Sequence, residues 1–535
     1  MTQSRIISVE ELAKHKLDSD CWVAIDGVVY DVTKFLKVHP AGKGVIIGVA
    51  GKDVTSEFYT FHKKEVLAKY GDKLRIGVLD VSAMDSHHEK GDFDIYTPFA
   101  ESAFTRGWHS PYMNASHTRF RMACRQFLKE HISPHVDELN DRGMDPPAEM
   151  IEKLGAAGIL ACRTGLGTMK YVKTMGLKLP GGVSPDEFNY FNERIAIDEV
   201  YRLGSGGVSD GLGCGMTIGL LPVIYFGKRD LKARVAPECI SGKKRICLAI
   251  TEPIAGSDVA SIHTKAVLNE AKTHYIVNGM KKWITGGYPA SYYTTAVRTG
   301  GPGHAGLSLM LIEDPRDASE GVITKHKIKT SYSGAAGTSL IIFENVLVPV
   351  GNLLGREGDG FKLIMANFNH ERWFICCIAS AFARDVVAEC YRWAIGRMAF
   401  GKRLIDQPVI RFKLAEMTAI LECTDAWVDS ITHQMNTMTP LEQFEKLAAP
   451  IALCKFQTTR AGVKLADHAA QILGGRGVTR TGMGRLIESF KNEVKFASIL
   501  GGSEEIVADL AVRQSVAHCD KLVQHSPEEK VHSRL

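Results

Sequence analysis

A single carboxylate, Glu371, interrupts an apolar stretch late in the chain, in the segment FNHERWFICCIASAFA. If this segment is a helix, residues three, four and seven positions away share a face with Glu371. Those neighbours are mostly apolar: Asn367, Phe368, Phe374, Ile375 and Ile378. Burial without a positive partner raises a carboxyl pKa, which suits a general base that removes a proton from carbon. The stretch equally allows a structural role, in which Glu371 pairs with Arg372 or a distant arginine.

Two histidines form a second candidate centre, in the string HPAGKGVIIGVAGKDVTSEFYTFH that begins at His39 and ends at His62. They flank an apolar helical segment. Four aromatic residues are expected as neighbours of the pocket between them: Trp22, Phe35, Phe58 and Phe61. Two imidazoles that bracket an apolar pocket can bind a haem iron from both faces, and such an iron transfers single electrons.

Composition excludes several classes of protein. A chain of 535 residues is too long for one compact domain, and its 45% hydrophobic and 23% charged residues are typical of a soluble globular protein. A net charge of +5 gives no electrostatic case for nucleic acid. The longest apolar run, Trp373 to Ala383, is far shorter than the roughly 20 residues that span a bilayer. The twelve cysteines include no CxxC pair, which indicates reduced thiols.

The histidine string resembles the cytochrome b5 family, whose signature is HPGG followed by a second histidine. Ala41 replaces one of the two glycines, which is a mild departure. The spacing to His62 is similar to that in the flavocytochrome b2 branch, where such a domain precedes a flavoenzyme. The resemblance covers Val9 to about Leu79, and it implies haem b with His39 and His62 as the axial ligands.

Two later motifs, LAITEPIAGSD from Leu248 to Asp258 and KKWITGG around Trp283, closely resemble the acyl-CoA dehydrogenase family, which holds FAD with them. The resemblance implies that Thr251 bonds the flavin ring and that Trp283 lies against it. Thr285 is expected near the reactive flavin nitrogen. Ser257 is expected to touch both the thioester arm of the substrate and the flavin phosphates.

Two C-terminal segments extend this resemblance. GRMAFGKRLIDQP and QILGGRG are similar to the family's contacts with the diphosphate and adenine of an FAD bound by a neighbouring subunit. The residues concerned are Arg397, Phe400, Gln407, Gln471, Gly474 and Gly475. FAD sites shared in this way imply a homotetramer or homodimer.

The family offers two positions for the catalytic base. Most members carry it in a late loop similar to YEGT, and ILGGSEEI places Gly501 there, so no acid is available. Ser503 and Glu505, which follow, are expected as FAD contacts. In the isovaleryl-CoA and long-chain branches the base lies in an earlier string similar to LERL, with which HERW aligns. By this resemblance Glu371 is the base and Arg372 faces the CoA arm.

The fold class expected is multidomain α+β: a cytochrome b5-like domain, then a helical domain, a β-barrel-like middle domain and a C-terminal four-helix bundle. The expected boundaries are 5–80 for the haem domain, 81–97 for a linker, 98–245 for the helical domain, 246–355 for the strands, 356–520 for the last helices and 521–535 for a tail.

The activity implied is FAD-dependent α,β-dehydrogenation of an acyl-CoA to the trans-2-enoyl-CoA, with electrons passed to the fused haem. The final electron acceptor stays open, as does the acyl chain. A peroxisomal acyl-CoA oxidase that reduces oxygen and a low-turnover binding protein are the alternatives. Ser533, Arg534 and Leu535 resemble the SKL ending of peroxisomal proteins, which favours the peroxisome over the cytoplasm or mitochondrion.

Overall fold

The computed structural model describes residues 5–40, 42–55, 57–58, 62, 64–80 and 93–524. Ala41, Phe61, most of the expected linker and the C-terminal SRL tripeptide lie outside these residues. The chain forms two compact units. The first comprises the chain up to Asp94 together with Leu473–Glu488, and the second comprises Ile95–Ile472 and the chain from Ser489 onward.

The first unit is built around a five-stranded sheet with the strand order β1-β5-β4-β3-β2. The strands are β1 Ile6–Ile7, β2 Lys16–Leu17, β3 Asp20–Ile25, β4 Val28–Asp31 and β5 Arg75–Leu79, and the helices are α1 Val9–Leu12, α2 Lys43–Ile47 and α3 Lys64–Leu74. Both faces of β3 are covered. Val23 and Ile25 belong to one apolar cluster, whereas Trp22 and Ala24 belong to another.

The second unit begins with nine helices, which pack around one large apolar core. They are α4 Ala115–His131, α5 Ser133–Arg142, α6 Ala148–Ala156, α7 Ile159–Thr164, α8 Met169–Met175, α9 Tyr190–Tyr201, α10 Gly206–Gly211, α11 Cys214–Phe226 and α12 Arg229–Ile240. Asn114 and Asn189 cap α4 and α9 by accepting hydrogen bonds from backbone N–H groups of the first turn.

One stretch among the described residues, Gly206–Phe226, is long and apolar enough to cross a membrane. In this structure 83% of the window that qualifies is buried inside the protein. A core helix passes the same test of length and composition, so the stretch is weak evidence for a span.

An eight-stranded sheet follows, with the strand order β11-β12-β8-β7-β9-β10-β13 and β6 paired alongside β9. The strands are β6 Ile246–Ala249, β7 Lys265–Leu268, β8 His274–Ile284, β9 Tyr292–Arg298, β10 Leu307–Glu313, β11 Val322–Lys327, β12 Ser339–Pro349 and β13 Leu353–Leu354. The expected strand region, 246–355, thus contains the strands of this sheet, and its longest members are β8 and β12 with 11 residues each.

The C-terminal region is helical except for a short hairpin, β14 Met398–Ala399 and β15 Lys402–Arg403. Its helices are α13 Gly360–Gly396, α14 Pro408–Thr437, α15 Pro440–Lys446, α16 Ala448–Leu473, α17 Gly484–Ala497 and α18 Glu504–Gln524. Helix α13 is buried over most of its length and is fixed to α14 by a hydrogen bond from Trp373 Nε1 to Thr432 Oγ1 at 2.9 Å.

Candidate functional site

Glu371 lies on α13 as a buried carboxylate, and its Oε2 atom has no hydrogen-bond partner. Burial is the main cause that raises its pKa from 4.5 to about 7, while the charges of Arg372, Lys455 and His370 oppose the shift. A carboxyl group with this pKa gains and loses a proton near neutral pH. It therefore has the acid–base property that proton abstraction from carbon requires.

The cationic groups nearest to Glu371 are held by other partners. Arg372 Nε donates to the Gly501 carbonyl at 2.8 Å. Lys455 Nζ donates to the carbonyls of Ser498 and Gly502, at 3.0 and 2.7 Å. These contacts place positive charge near Glu371 without a hydrogen bond to its Oε2 atom, and they do not support the structural role in which Glu371 forms an ion pair.

The nearest histidine is also engaged. His370 Nε2 lies 2.8 Å from Oε1 of the buried Glu193 on α9. Burial raises the pKa of Glu193 although His370 opposes the shift. The pair joins α13 to α9 one residue before Glu371, which helps to fix where the carboxylate lies.

The loop that carries Gly501 approaches the same carboxylate. A Cβ atom built on Gly501 would lie 3.7 Å from Glu371 Oε1 and 2.9 Å from Ile375 Cδ1. Gly501 has a φ of +63°, which a larger residue adopts only with strain. The two positions at which the family carries its base, Gly501 on a loop and Glu371 on a helix, thus lie next to each other in the structure.

A small cavity of about 40 Å³ lies between Glu371 and the turn that follows strand β8, because Thr285 is among its lining residues. Most of the lining is apolar and excludes water: Ile218, Phe374, Ile375, Ile378, Phe496, Ala497 and Leu500. Three further lining residues, Asp210, Cys214 and Glu493, are polar and were not singled out from the sequence. On its helix Glu493 has Phe490, Phe496 and Ala497 three or four positions away, which is the kind of signal that identified Glu371.

The TEP and WIT motifs meet through the backbone. Lys282 N donates to the Thr251 carbonyl at 2.9 Å, so Thr251 lies beside strand β8, which carries Trp283 and ends one residue before Thr285. Trp283 has a φ of +66° and a half-exposed side chain, whereas Thr285 is buried at the cavity. A strained, exposed indole next to a buried hydroxyl fits the face and edge of a flat heterocycle such as a flavin.

A buried ion pair supports this arrangement. Lys281 Nζ donates to Glu252 Oε1 and to the Ile250 carbonyl, both at 2.8 Å, and Thr264 Oγ1 donates to Glu252 Oε1 at 2.6 Å. Burial lowers the pKa of Lys281 to about 8 although Glu252 opposes it. Glu252 and Lys281 position the two motifs, and the sequence did not indicate this role.

The other expected FAD residues do not line the cavity of Glu371. Six of them are exposed: Ser257, Arg397, Phe400, Gln471, Gly474 and Gly475. Gln407 carries a buried Nε2 atom without a hydrogen-bond partner. The pKa of the exposed Glu505 is lowered, mainly by a backbone hydrogen bond and secondly by a hydrogen bond from the Ser503 side chain. Arg372, expected at the CoA arm, is buried and bonded to Gly501.

In the first unit, His39 and His62 face each other with ring centroids 6.0 Å apart. His39 Nδ1 donates to the Gly42 carbonyl and His62 Nδ1 to the Phe58 carbonyl, each at 3.2 Å. These bonds leave both Nε2 atoms available as metal ligands, and the separation of the rings leaves room for one metal ion between them. The pair therefore fits a haem iron, which His39 and His62 would hold.

The aromatic residues around this pair divide into two groups. Phe58 stacks on His62 at 4.7 Å, and Phe35 meets His39 edge-on at 6.1 Å, measured between ring centroids. Trp22 instead stacks on His15 at 3.4 Å and belongs to the other core of the sheet. Its expected place beside the two histidines is wrong, because the alternation of β3 turns it to the opposite face.

Family models match four parts of the chain. Residues 8–80 match the cytochrome b5-like heme/steroid binding domain. Residues 114–243, 247–346 and 358–516 match the N-terminal, middle and C-terminal domains of acyl-CoA dehydrogenase.

Individual proteins match over the same region. The acyl-CoA dehydrogenase apdG of Emericella nidulans is 40% identical over 419 residues, which are 78% of this chain and 95% of that protein. An acyl-CoA dehydrogenase of Bacillus subtilis is 30% identical over 72% of this chain and 94% of its own length. A crystal structure of acyl-CoA dehydrogenase from Geobacillus kaustophilus has 27% identity and a TM-score of 0.65, and covers 76% of this chain and 99% of its own.

Proposed function

We propose a function for this chain, which belongs to the acyl-CoA dehydrogenase family and is an oxidoreductase of that kind. It carries a cytochrome b5-like domain ahead of the dehydrogenase. The reaction proposed is α,β-dehydrogenation of an acyl-CoA to the trans-2-enoyl-CoA, with Glu371 as the base. The observation that carries the assignment is the Oε2 atom of Glu371, buried without a partner beside a cavity shared with Thr285.

The thioester carbonyl of the substrate acidifies its α-carbon, and Glu371 removes the α-proton onto its carboxylate. Bound FAD would supply the acceptor for the hydride that leaves the β-carbon, and its binding residues would be Thr251, Trp283 and Thr285. The apolar lining of the cavity excludes water while the charge develops. One C–H bond donates a proton and the other a hydride, so the two electrons of the α C–H bond form the new double bond.

Glu371→Gln tests the assignment, because the amide keeps the shape of the side chain and cannot accept the proton. We expect normal FAD content and a loss of flavin bleaching by acyl-CoA of at least about 10³-fold in anaerobic stopped flow. Glu389→Gln is a matched control, since Glu389 lies on the same helix and pairs with Arg392. Bleaching at the wild-type rate in Glu371→Gln would refute the role of Glu371.

We infer that the cytochrome b5-like domain accepts the electrons of the dehydrogenase, through haem b held by His39 and His62. A haem held by His39 and His62 would supply one-electron transfer, which suits the uptake of electrons from the dehydrogenase one at a time. The separation of the two rings and their Nδ1 hydrogen bonds support this ligation.

His39→Ala and His62→Ala in the full chain test this transfer. We expect loss of haem, unchanged flavin bleaching by acyl-CoA and no reduction of added cytochrome c. His15→Gln is the control, because His15 stacks on Trp22 and lies 2.7 Å from Asp20, outside the ligand pair. Wild-type reduction of cytochrome c by the haem-free variants would exclude the proposed route.

We further propose a homo-oligomer in which Phe400 reaches the FAD of a neighbouring copy. Phe400 and Gly401 form the turn of the β14–β15 hairpin with φ of +53° and +77°, and the phenyl ring is 96% exposed. Positive φ at both positions is the ordinary geometry of a two-residue hairpin turn, and this turn presents the phenyl ring to solvent, where a partner surface would bury it.

The C-terminal Ser533–Arg534–Leu535 sequence supports delivery to the peroxisome as a separate proposal. A fluorescent protein that carries the last residues of the chain should colocalise with a peroxisomal marker. Diffuse cytoplasmic signal, with the SKL ending as positive control, would exclude it.

A further inference from the structure

Two further buried acids line the cavity of Glu371. They are Asp210 near the end of α10 and Glu493 on α17. Asp210 is 4% exposed and Glu493 is 5% exposed, and Glu493 Oε2 has no hydrogen-bond partner. The proposed dehydrogenation does not use either residue. Buried polar atoms are nearly always paired in folded proteins, so an unpaired oxygen that lines a cavity indicates a missing ligand group.

The cluster around these acids is electrically balanced when Glu493 carries a proton. Burial and the neighbouring Asp210 raise the pKa of Glu493 well above 4.5, which favours the neutral form of its carboxyl group. Burial raises the pKa of Asp210 to about 6, and the Tyr201 hydroxyl and the charge of Arg163 oppose the shift. Near neutral pH the cation of Arg163 offsets the anion of Asp210.

Backbone packing fixes Glu493 at this point. A Cβ atom on Gly206, the first residue of α10, would lie 1.9 Å from Glu493 Oε2. Only glycine therefore allows the carboxyl group to reach this position. On α17, Phe490 and Ala497 share the buried face with Glu493, and neither can offer a hydrogen bond. The carboxyl group is thus built into the wall of the cavity.

We infer that Glu493 selects acyl-CoA substrates whose acyl chain carries a hydroxyl group, which it holds by donating and accepting hydrogen bonds at the wall of the cavity. The inference rests on the proposed dehydrogenase function. A substrate carboxylate would be repelled by Asp210. A substrate ammonium group would have to lose its hydration shell in this mostly apolar cavity, which is costly. A hydroxyl group adds no charge and can both donate and accept.

The test uses hexanoyl-CoA and octanoyl-CoA, each with and without a hydroxyl or an amino group on the terminal or the penultimate carbon, and follows flavin bleaching anaerobically. We expect at least one hydroxylated member to exceed its unsubstituted parent in kcat/KM by about tenfold or more. Glu493→Leu should remove this preference and Glu493→Gln should retain part of it. Glu445→Leu, an exposed acid on α15, is the control that should keep the wild-type ratio.

The outcomes separate this inference from the dehydrogenase function itself. Bleaching by the unsubstituted chains with no preference for any hydroxylated member refutes the role of Glu493 and leaves the dehydrogenase function standing. Preference for the amino members, or a hydroxyl preference that survives in Glu493→Leu, also refutes it. Bleaching by no member of the panel refutes the proposed function and the inference together. The ratio of kcat/KM between hydroxylated and unsubstituted chains is measured in the wild-type protein, so this part of the test does not depend on the folding of any variant.

Discussion

Replacement of Glu371 by glutamine is expected to make the protein more stable at alkaline pH, although it abolishes the proposed chemistry. The folded protein raises the pKa of Glu371 from 4.5 to about 7, so between these values the folded state binds more protons than the unfolded state. Wild-type stability therefore falls as pH rises through this window. A shift of this size corresponds to about 3 kcal/mol, fully lost above about pH 7.

Glutamine resembles the neutral acid and does not ionise, so Glu371→Gln avoids the loss. The gain should be near zero at pH 4.5 and about 3 kcal/mol at pH 8. A unit of roughly 400 residues unfolds with an entropy of about 0.9 kcal/mol/K, so the midpoint should rise by about 4 °C at pH 8.

The assay is differential scanning calorimetry at pH 5 and pH 8 with saturating FAD in both proteins. The matched control is Glu389→Gln on the same helix, which should show no pH-dependent gain. A structural ion pair between Glu371 and Arg372 predicts the opposite sign, because the amide would leave Arg372 buried without its partner. A lower midpoint for Glu371→Gln at pH 8 would thus refute the whole account of Glu371 as an unpaired base.

Three further outcomes follow from the same structure. The kcat/KM for acyl-CoA should rise with pH through about pH 7, since Glu371 acts only when ionised; a profile that is flat from pH 5 to 8 would contradict this. Glu199→Gln should destabilise the protein by about 3–5 kcal/mol in thermal unfolding at pH 7, because Arg125 and Arg121 bond this buried acid at 2.7 and 2.8 Å. Phe400→Ala should weaken assembly and FAD retention, measured by size-exclusion chromatography and flavin absorbance, and unchanged values would exclude a role in the interface.

The parts of the site that the sequence could predict are those with a local pattern. Alternating apolar residues around Trp283 and Thr285 indicate a strand, and the structure contains one there. Glu371 could be placed on a buried helix face because its neighbours three and four residues away are apolar. The absence of an acid at Gly501 gave a second indication, because most family members carry the base there. Only the structure shows that Gly501 lies beside Glu371, because its loop and α13 are distant in sequence.

The parts that the sequence could not predict depend on contacts between distant segments. Asp210 and Glu493 are far apart in the chain and meet at one cavity, so no spacing indicates that they act together. The same holds for Lys281 and Glu252, which hold the two flavin motifs against each other. Arg372 follows the base in sequence, and only the structure shows that it donates to the Gly501 carbonyl.

The position of the proposed base on α13 explains how the protein tolerates a desolvated carboxylate. Glu371 costs about 3 kcal/mol of stability when ionised, which is a large share of what a domain usually possesses. A loop residue at the Gly501 position would add backbone strain to this cost, because the φ there is positive. Helix α13 is fixed by Arg384, whose Nη2 atom binds Asp425 on α14, and by the bond from Trp373 to Thr432. A rigid, deeply anchored helix can hold an unpaired acid in place without collapse onto a cation, and this is the arrangement that keeps the base both strong and dry.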